Sequence, residues 1–483
     1  MSLVSNVRRT ATNKKKSIKI NKKHSLMNTK QYNKSELETI FSHKLTENGD
    51  NTFSTTGNTL VDILFMAEYY TKHPKEVIID NSPVAKLFSM FMRDPRFGMG
   101  YRDLGRNLMY LADLTAEEVV KCGRYDDLFL ATSDDGEYNS YWINYLFTEV
   151  LKGNELAKKW MPRYSSKHLI IAREFAQSLS LNKQQYGKLI KANTVENTMS
   201  RNDWENINFE HVPSLAAIKY VKAFQRHQPE RYQQYLDDVK SGKKQLHVAT
   251  TNVYDIYKNR YSIDADLFFS KIEKISGSWI PIVDSSGSMQ DSNDSYGKAM
   301  AIGHYLAKCS TYCPNQVISF SSKPQLITLG TMPKQDYDYN YYMYGRTHLR
   351  ENASVYEKEI YSMHTGDCSN TDFGAVMDML SNLKTEMPEY LVVLSDMEFD
   401  CGSSMSKDAT MQLFKSNNWS TKIIWWNFNS RNKTAPETDS YGNIFISGYT
   451  PMLLKYLETG FDAQQFLQKL LEEYAKNIGY TLP

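Results

Sequence analysis

The 483-residue chain has little cysteine: five residues, an odd number, spread along its length. That argues against a disulfide scaffold and predicts reduced thiols in an intracellular compartment, cytoplasmic first, with nuclear or virion-associated settings as alternatives. No run approaches the ~18–20 consecutive apolar residues of a membrane helix, and Met1-Ser2-Leu3 is not followed by the apolar stretch of a secretory signal. The expectation is a chain with no membrane role and no leader. The phosphate-cradling glycine loop that ends in Gly-Lys-Ser or Gly-Lys-Thr is missing, and so is the His-Glu-x-x-His zinc pair, which argues against P-loop nucleotide chemistry and zinc hydrolysis. Acidic residues are absent from positions 1–34, where ten Lys/Arg stand. Net charge is +2 over the whole chain, so the remainder is mildly acidic. Positions 1–45 therefore read as a basic, disordered tail. It suits a phosphate-rich polymer or a localisation signal, and equally a solvated leader with no specific target.

What remains is globular in character, with 41% hydrophobic and 23% charged residues. The length calls for two or three domains. From residue 46 to about 270 the apolar period is helical. Leu60, Ile63, Leu64 and Ala67 share one face, as do Val84, Leu87, Phe88 and Phe91, the latter run opened by Ser82 and Pro83. Leu169, Ala172, Ala176 and Leu179 form a further stripe, and Pro213-Ser214 opens a run that continues to Phe224. An all-α domain of stacked helices follows, for which a HEAT-like array is one arrangement, although no clean repeat period is found.

One stretch of this region, Lys152 to Lys191, is locally basic. Lys158, Lys159, Arg163, Lys167 and Arg173 lie close together with Trp160 and Tyr164 interleaved. Cations meet phosphates and rings stack on bases, so the pattern suits single-stranded nucleic acid. The plainer reading, a solvated helix face whose aromatics point into the core, stands beside it. A second group, Arg93, Arg96, Arg102 and Arg106, brackets Gly98 and Gly100, whose spacing does not make a dinucleotide fingerprint.

Near Ser276 the pattern changes. Trp279–Val283 is a short apolar run that ends at Asp284, followed by Ser285-Ser286-Gly287-Ser288 and then a helix through Ala299, Ile302 and Leu306. An apolar strand with an acidic end, alternating hydroxyls and a helix describe the carboxyl edge of a parallel sheet, where doubly wound α/β folds bind ligands. Asp284, Ser286 and Ser288 can turn three oxygens toward one point, a donor set that suits Mg²⁺ or another hard divalent cation. The plainer role for all three is capping of the first helix. Val317–Phe320, Tyr390–Ser395, Lys422–Phe428 and Asn443–Ser447 read as further strands, and Phe373, Val376, Met377 and Leu380 as one helix face opened by Thr371-Asp372. Residues 275–483 thus form a doubly wound, mainly parallel α/β domain. Cys309 and Cys313, four apart with no histidine or second cysteine pair to complete a zinc set, read as core residues.

From Trp279 onward the chain resembles a von Willebrand factor A domain with a metal-ion-dependent adhesion site. That family's Asp-x-Ser-x-Ser motif stands here as Asp284, Ser286 and Ser288, its threonine as Thr371, and its second aspartate as Asp396 in LSDMEFD. The resemblance implies that these five residues hold a divalent cation. Over residues 46 to about 449 the chain is similar to Ro/TROVE-like proteins, and in particular to a branch known from plants, fungi and giant viruses. The phrases that carry this are TENGDNTFSTTGNTLVDILF, RDPRFGMGYRDLGRNL, MSRNDWENINFEHVPS, NTDF, LSDMEFD and ISGY. It implies RNA binding through the helical part. Two departures stand out. Residues 335–365 hold a tyrosine-rich insertion, a binding loop or a neutral surface addition. Gly366-Asp-Cys-Ser-Asn370 lengthens the approach to Thr371 and bears on metal affinity.

The site's chemistry decides among three functions. Two carboxylates among hydroxyls leave a bound Mg²⁺ with net positive character, open to a partner's acidic side chain or a phosphate, whereas hydrolytic sites need more carboxylates and a base. The first expectation is a non-enzymatic, Mg²⁺-dependent binding protein, an RNA-binding ribonucleoprotein component. The alternative is a protein-binding scaffold whose metal captures a partner's acidic residue. The third is a Mg²⁺-dependent phosphoryl-transfer enzyme.

Overall fold

The structure, a computed structural model, describes residues 43–45, 51–53, 83–131 except 96, 99 and 101, 137–320 except 249 and 250, 323–331, 349, 351–364, 372–382, 386–396, 407–428, 437–438, 442–447, 454, 457 and 472–479. Most of the basic tail, the helix expected at Leu60–Ala67, Arg96, the run 336–344, residues 366–370, Thr371 and Cys401 lie outside the described residues. Two compact units emerge, one built on Thr71–Val212 with Leu467–Pro483, the other on Pro213–Phe466. No helix among the described residues is long and apolar enough to cross a membrane.

The first unit is helical, as its apolar period predicts. It comprises α1 (Pro83–Arg93), α2 (Arg102–Leu111), α3 (Ala116–Cys122), α4 (Asp127–Leu130), α5 (Ser140–Leu151), α6 (Glu155–Trp160), α7 (Leu169–Ser178), α8 (Lys183–Leu189) and α9 (Val195–Ser200). Short polar residues start these helices by satisfying the first backbone N–H groups. Thr115 with Glu118 and Asn182 with Gln185 form reciprocal capping boxes, and Asn139 and Asn154 cap α5 and α6. Leu87, Phe88 and Phe91 of α1 are buried as expected. On α7 the buried face is Ile171, Ala172, Phe175 and Ala176, rotated from the predicted stripe, with Leu169 and Leu179 only half-buried. Phe175 sets this face by stacking on Phe147, ring centroids 4.4 Å apart.

The arginine-rich segment has a structural explanation. Arg93 and Arg106 are buried and pair with Asp127 at 2.8 and 2.6 Å. Arg102, Arg106 and Arg124 converge on Asp126 at 2.8–3.2 Å. These cations stabilise buried carboxylates, because a buried charge left alone is strongly unfavourable.

The second unit opens with α10 (Ser214–Lys219), α11 (Val221–His227), α12 (Pro229–Lys240), α13 (Val253–Asn259) and α14 (Ala265–Ser270). After β1 (His43–Leu45) and β2 (Asn51–Phe53), which form a two-stranded hairpin, the strands are β3 (Trp279–Asp284), β4 (Gln316–Phe320), β5 (Gln325–Thr328), β6 (Tyr390–Ser395), β7 (Lys422–Asn427), β8 (Glu437–Thr438) and β9 (Ile444–Ser447). Strands β3 to β9 make one seven-stranded sheet in the order β5-β4-β3-β6-β7-β9-β8. The pairings β4-β3-β6-β7-β9 are parallel, and β5 and β8 are antiparallel edges. The helices α15 (Ser295–Cys309), α16 (Val355–Ser362), α17 (Phe373–Asn382) and α18 (Lys407–Ser416) complete the unit. The fold class is therefore the expected one, a helical region followed by a mainly parallel α/β sheet.

β3 and β6 are buried throughout, which their unbroken apolar sequences require. Phe373, Val376, Met377 and Leu380 of α17 pack on one face of the sheet, with Phe414 of α18. Cys313 joins that core, and its thiol is pushed up to about 11 by burial. Helix α15 lies close enough to β3 that a side chain at Gly303 would clash with Val283. α13 and α14 are fastened into the sheet unit by polar contacts. Asp266 accepts from the backbone N–H groups of Val355 and Tyr356 at 3.0 and 2.7 Å, starting α16. The Tyr254 hydroxyl donates to Asp294, the cap of α15, at 2.7 Å.

A pH dependence follows from His168, which is 4% exposed and bonded through Nδ1 to the Tyr138 hydroxyl at 2.7 Å. Burial, then the charges of Lys167 and Arg106, lower its pKa from 6.5 to about 4. The folded state thus holds its proton less tightly than the unfolded state, so its contribution is complete above pH 6.5 and is lost as pH falls toward 4. Between pH 7 and pH 5 this group removes about 2 kcal/mol. In urea unfolding at the two pH values, His168→Phe should reduce the loss by about that amount.

Candidate functional site

Parallel pairing of β3 with β6 brings the two acidic strand ends together. Val283 faces Leu394 in register, so Asp284 ends β3 where Ser395 ends β6 and Asp396 follows. The chain leaves β3 toward β4 on one side, while β6 leads to β7 and β9 on the other. This is a topological switch point, where open α/β sheets form a crevice.

The Asp284 side chain is fully buried there. Its Oδ2 accepts from the Ser395 hydroxyl at 2.5 Å and its Oδ1 from the Ser286 N–H at 2.9 Å. Desolvation pushes its pKa up to about 6; the bonds from Ser395 and Ser286 oppose this, and the charge of Asp396 adds to it. Ser285 turns the other way: its N–H and hydroxyl donate to the Phe320 carbonyl at 3.0 and 3.3 Å. Ser286 and Ser288 then fall on one side, their hydroxyl oxygens 3.0 Å apart. Four of the five predicted rim residues, Asp284, Ser286, Ser288 and Asp396, are thereby placed at one edge of the sheet. Thr371 lies outside the described residues. Asp372, which follows it, accepts from the Ala375 N–H at 3.2 Å at the start of α17. Phe373 packs edge-on against Phe320, the last residue of β4, with ring centroids 5.8 Å apart.

Ser395 is the rim residue that sequence reasoning missed. Its signal was available: in parallel register it sits beside Asp284, and only a donor there can bond the buried carboxylate. Among the described residues no group of three or more His, Cys, Asp and Glu is placed to hold a metal ion. The rim differs in kind, with two carboxylates and two hydroxyls.

The basic cluster is gathered in part. Lys158, Lys159 and Arg163 line a pocket of about 610 Å³ together with Lys183 and Lys191, while Lys167 and Arg173 do not line it. The two added lysines come from the far end of the same basic stretch, because α8 and the segment after it fold back onto α6. Trp160, Tyr164 and Tyr186 also line the pocket. Tyr186 is buried, and its hydroxyl donates to the Pro162 carbonyl. Trp160 and Tyr164, the interleaved rings of the sequence pattern, are half-buried.

Comparison with known proteins places the chain among distant relatives. Residues 172–261 match a family described as Domain of unknown function (DUF2828), and residues 278–477 match one described as Domain of unknown function (DUF7788). An uncharacterised protein of Acanthamoeba polyphaga mimivirus is 23% identical over 526 aligned residues, covering 89% of this chain and 88% of the relative. The giant-virus resemblance in the sequence phrases is matched by this relative. Among solved structures, the Deinococcus radiodurans RO (RSR) protein is similar over 93% of this chain and 96% of its own, with 9% identity and a TM-score of 0.40. Proximal thread matrix protein 1 of the mussel byssus is similar over 39% of this chain and 48% of its own, with 12% identity and a TM-score of 0.25.

Removing the Ser395 hydroxyl leaves a buried carboxylate oxygen short of a donor. Ser395→Ala should lower the unfolding free energy by about 1–3 kcal/mol. Ser288→Ala, at a half-buried hydroxyl that water can replace, should stay within about 0.5 kcal/mol. Chemical unfolding of both variants in chelator checks the contrast.

Proposed function

We propose that the chain is a non-enzymatic binding protein whose sheet rim takes a divalent cation and whose helical part takes RNA. In this reading residues 1–45 are a basic tail, 46–270 the RNA-binding helical part, and 275–483 an A-domain-like ligand module. The observation that carries it is the meeting of Asp284, Ser286, Ser288 and Asp396 at the switch point of the sheet. The donor set fits Mg²⁺: every candidate ligand is a hard oxygen. The fully buried Asp284 carboxylate is bonded by neutral donors, the Ser395 hydroxyl and the Ser286 N–H, and a cation would supply an opposite charge. Asp284, Ser286, Ser288, Asp396 and Thr371 would hold the ion, and when bound it would supply an electrophilic position for an acidic side chain or a phosphate. The chain's own residues orient that position. Ser395 and the Ser286 N–H fix the Asp284 carboxylate, and Ser285 anchors the loop to β4. Hydrolytic Mg²⁺ sites generally use more carboxylates than these two, which favours capture over turnover.

RNA binding draws on the sequence resemblance to Ro/TROVE-like chains and on the cationic, aromatic-lined surface around Lys158, Lys159 and Arg163. Lys167 and Arg173 are exposed on the same unit and extend its positive charge.

Two measurements test the reading. Mg²⁺ should raise the melting temperature of the intact protein, by an amount corresponding to about 2.7 kcal/mol at a hundredfold excess over Kd. Asp284→Ala and Ser286→Ala should abolish that rise; its survival in both would remove the rim from the site. Affinity for single-stranded RNA should fall steeply as salt rises from about 50 to about 200 mM, because phosphate contacts release counterions. A flat salt response would exclude phosphate binding by this surface.

A further inference from the structure

The pocket of about 610 Å³ in the helical unit is enclosed by α6, α8 and α9 with the segments between them. Its size lies within the ~300–1,000 Å³ of small-ligand sites. Five cations line it, Lys158, Lys159, Arg163, Lys183 and Lys191, against one carboxylate, Glu196. Lys158 is engaged by Glu155 at 2.9 Å. Among the described residues no carboxylate forms an ion pair with the other four, all of which are exposed. Four such cations around one concavity repel one another and raise the local potential. Folding gains nothing from that convergence, whereas a polyanion gains from all four.

The aromatic side of the pocket is fixed in advance. Tyr186, held by the Pro162 carbonyl, meets Tyr164 edge-on at 5.2 Å between centroids. Arg124 lies over the Trp160 ring at 4.2 Å, so that ring is already engaged. The Lys183 ammonium stands 5.9 Å from the Tyr164 centroid, at the outer limit of a cation–π contact. This long exposed side chain can turn to a phosphate and leave the Tyr164 ring to a planar base. Backbone and side-chain bonds hold the far wall. The Asn193 N–H donates to Glu155 at 2.5 Å, the Asn197 amide to the Ala192 carbonyl at 2.8 Å, and Arg201 to the Asn193 side chain at 2.8 Å. Glu196 adds an acceptor for ribose hydroxyls or a base amino group. Neither a simple anion nor an apolar molecule uses both sides of this pocket; a base that carries phosphate does.

We propose that this pocket seats a nucleoside phosphate, its base on Tyr164 and its phosphates among Lys159, Arg163, Lys183 and Lys191. A free nucleotide and the terminal nucleotide of an RNA strand both supply that chemistry. The second source rests on the RNA reading above, and the first does not.

The test uses the full chain and calorimetric titration with adenosine, AMP, ATP, inorganic triphosphate, and short oligoadenylates with and without a 5′-phosphate. ATP should bind more tightly than AMP, and AMP more tightly than adenosine. Lys183→Glu and Arg163→Glu should each weaken ATP at least tenfold. Tyr164→Leu should weaken ATP and leave inorganic triphosphate unchanged, and Lys222→Glu, an exposed lysine outside the pocket, should leave ATP unchanged. Unaltered melting temperatures would show that the exposed-site variants fold. A preference for the 5′-phosphorylated oligomer over its 5′-hydroxyl form, sensitive to the same variants, assigns the RNA source; ATP binding with no such preference assigns the free nucleotide. The proposal is overturned if inorganic triphosphate binds as tightly as ATP, or if Lys183→Glu and Arg163→Glu leave nucleotide binding intact. RNA binding that is indifferent to all pocket variants, with no ATP binding, would remove the pocket and leave the RNA reading standing. ATP binding without any RNA binding would do the reverse.

Discussion

A carboxylate buried at the end of β3 sets the terms for the sheet rim. Asp284 is fully enclosed, and enclosure disfavours its charged form. Three features of the chain answer that cost. β6 ends in a hydroxyl residue at the matching level, the loop turns the Ser286 N–H back onto the carboxylate, and Ser285 pins the loop to β4. With these in place the carboxyl still titrates well above its ordinary range, and Asp396 makes the environment more negative. An apolar residue at this strand end would pack without any of those supports. The arrangement has little rationale as a way of closing the sheet, and the proposed cation would supply one.

The same reasoning explains why packing and composition divide the chain differently. Residues 213–270 share the helical period of the preceding region, yet they cluster with the sheet. Polar contacts make the connection. Asp266 supplies the N-terminal bonds of α16, Tyr254 bonds the cap of α15, and buried His304 shares Glu359 with Lys308 between α15 and α16. Burial lowers the pKa of His304 despite that carboxylate. Periodicity records which face of a helix is apolar; it carries no information about which core receives that face.

This limit marks what was legible in the sequence. The central strands could be read because each is a continuous apolar run, and the rim because an acidic residue closes two of them. The edge strand β5 was not read: Gln325-Leu-Ile-Thr328 is largely exposed and lacks that signature. The face of α7 was read about one position off, since Phe175 competes for the core and its stacking on Phe147 decides the matter. Lys183 and Lys191 were visible as charge but not as neighbours of Lys159 and Arg163, because only the return of α8 onto α6 unites them. Arg93 and Arg106 show the opposite outcome. They resemble a ligand-binding cluster along the chain, yet Asp126 and Asp127, 20 to 34 residues later, account for them.

The contrast between these arginines and the pocket lysines separates buried charge that the fold compensates from exposed charge that it does not. Where Arg93 and Arg106 are buried, carboxylates meet them at 2.6–3.2 Å, as stability demands. Lys159, Arg163, Lys183 and Lys191 surround a cavity and have no such partner among the described residues. At the rim the buried Asp284 stands beside Asp396, whose charge raises its pKa, and is bonded by neutral donors, the Ser395 hydroxyl and the Ser286 N–H. The two sets have opposite sign, and the ligands proposed for them differ accordingly: a divalent cation at the rim, and a phosphate with a planar base in the pocket.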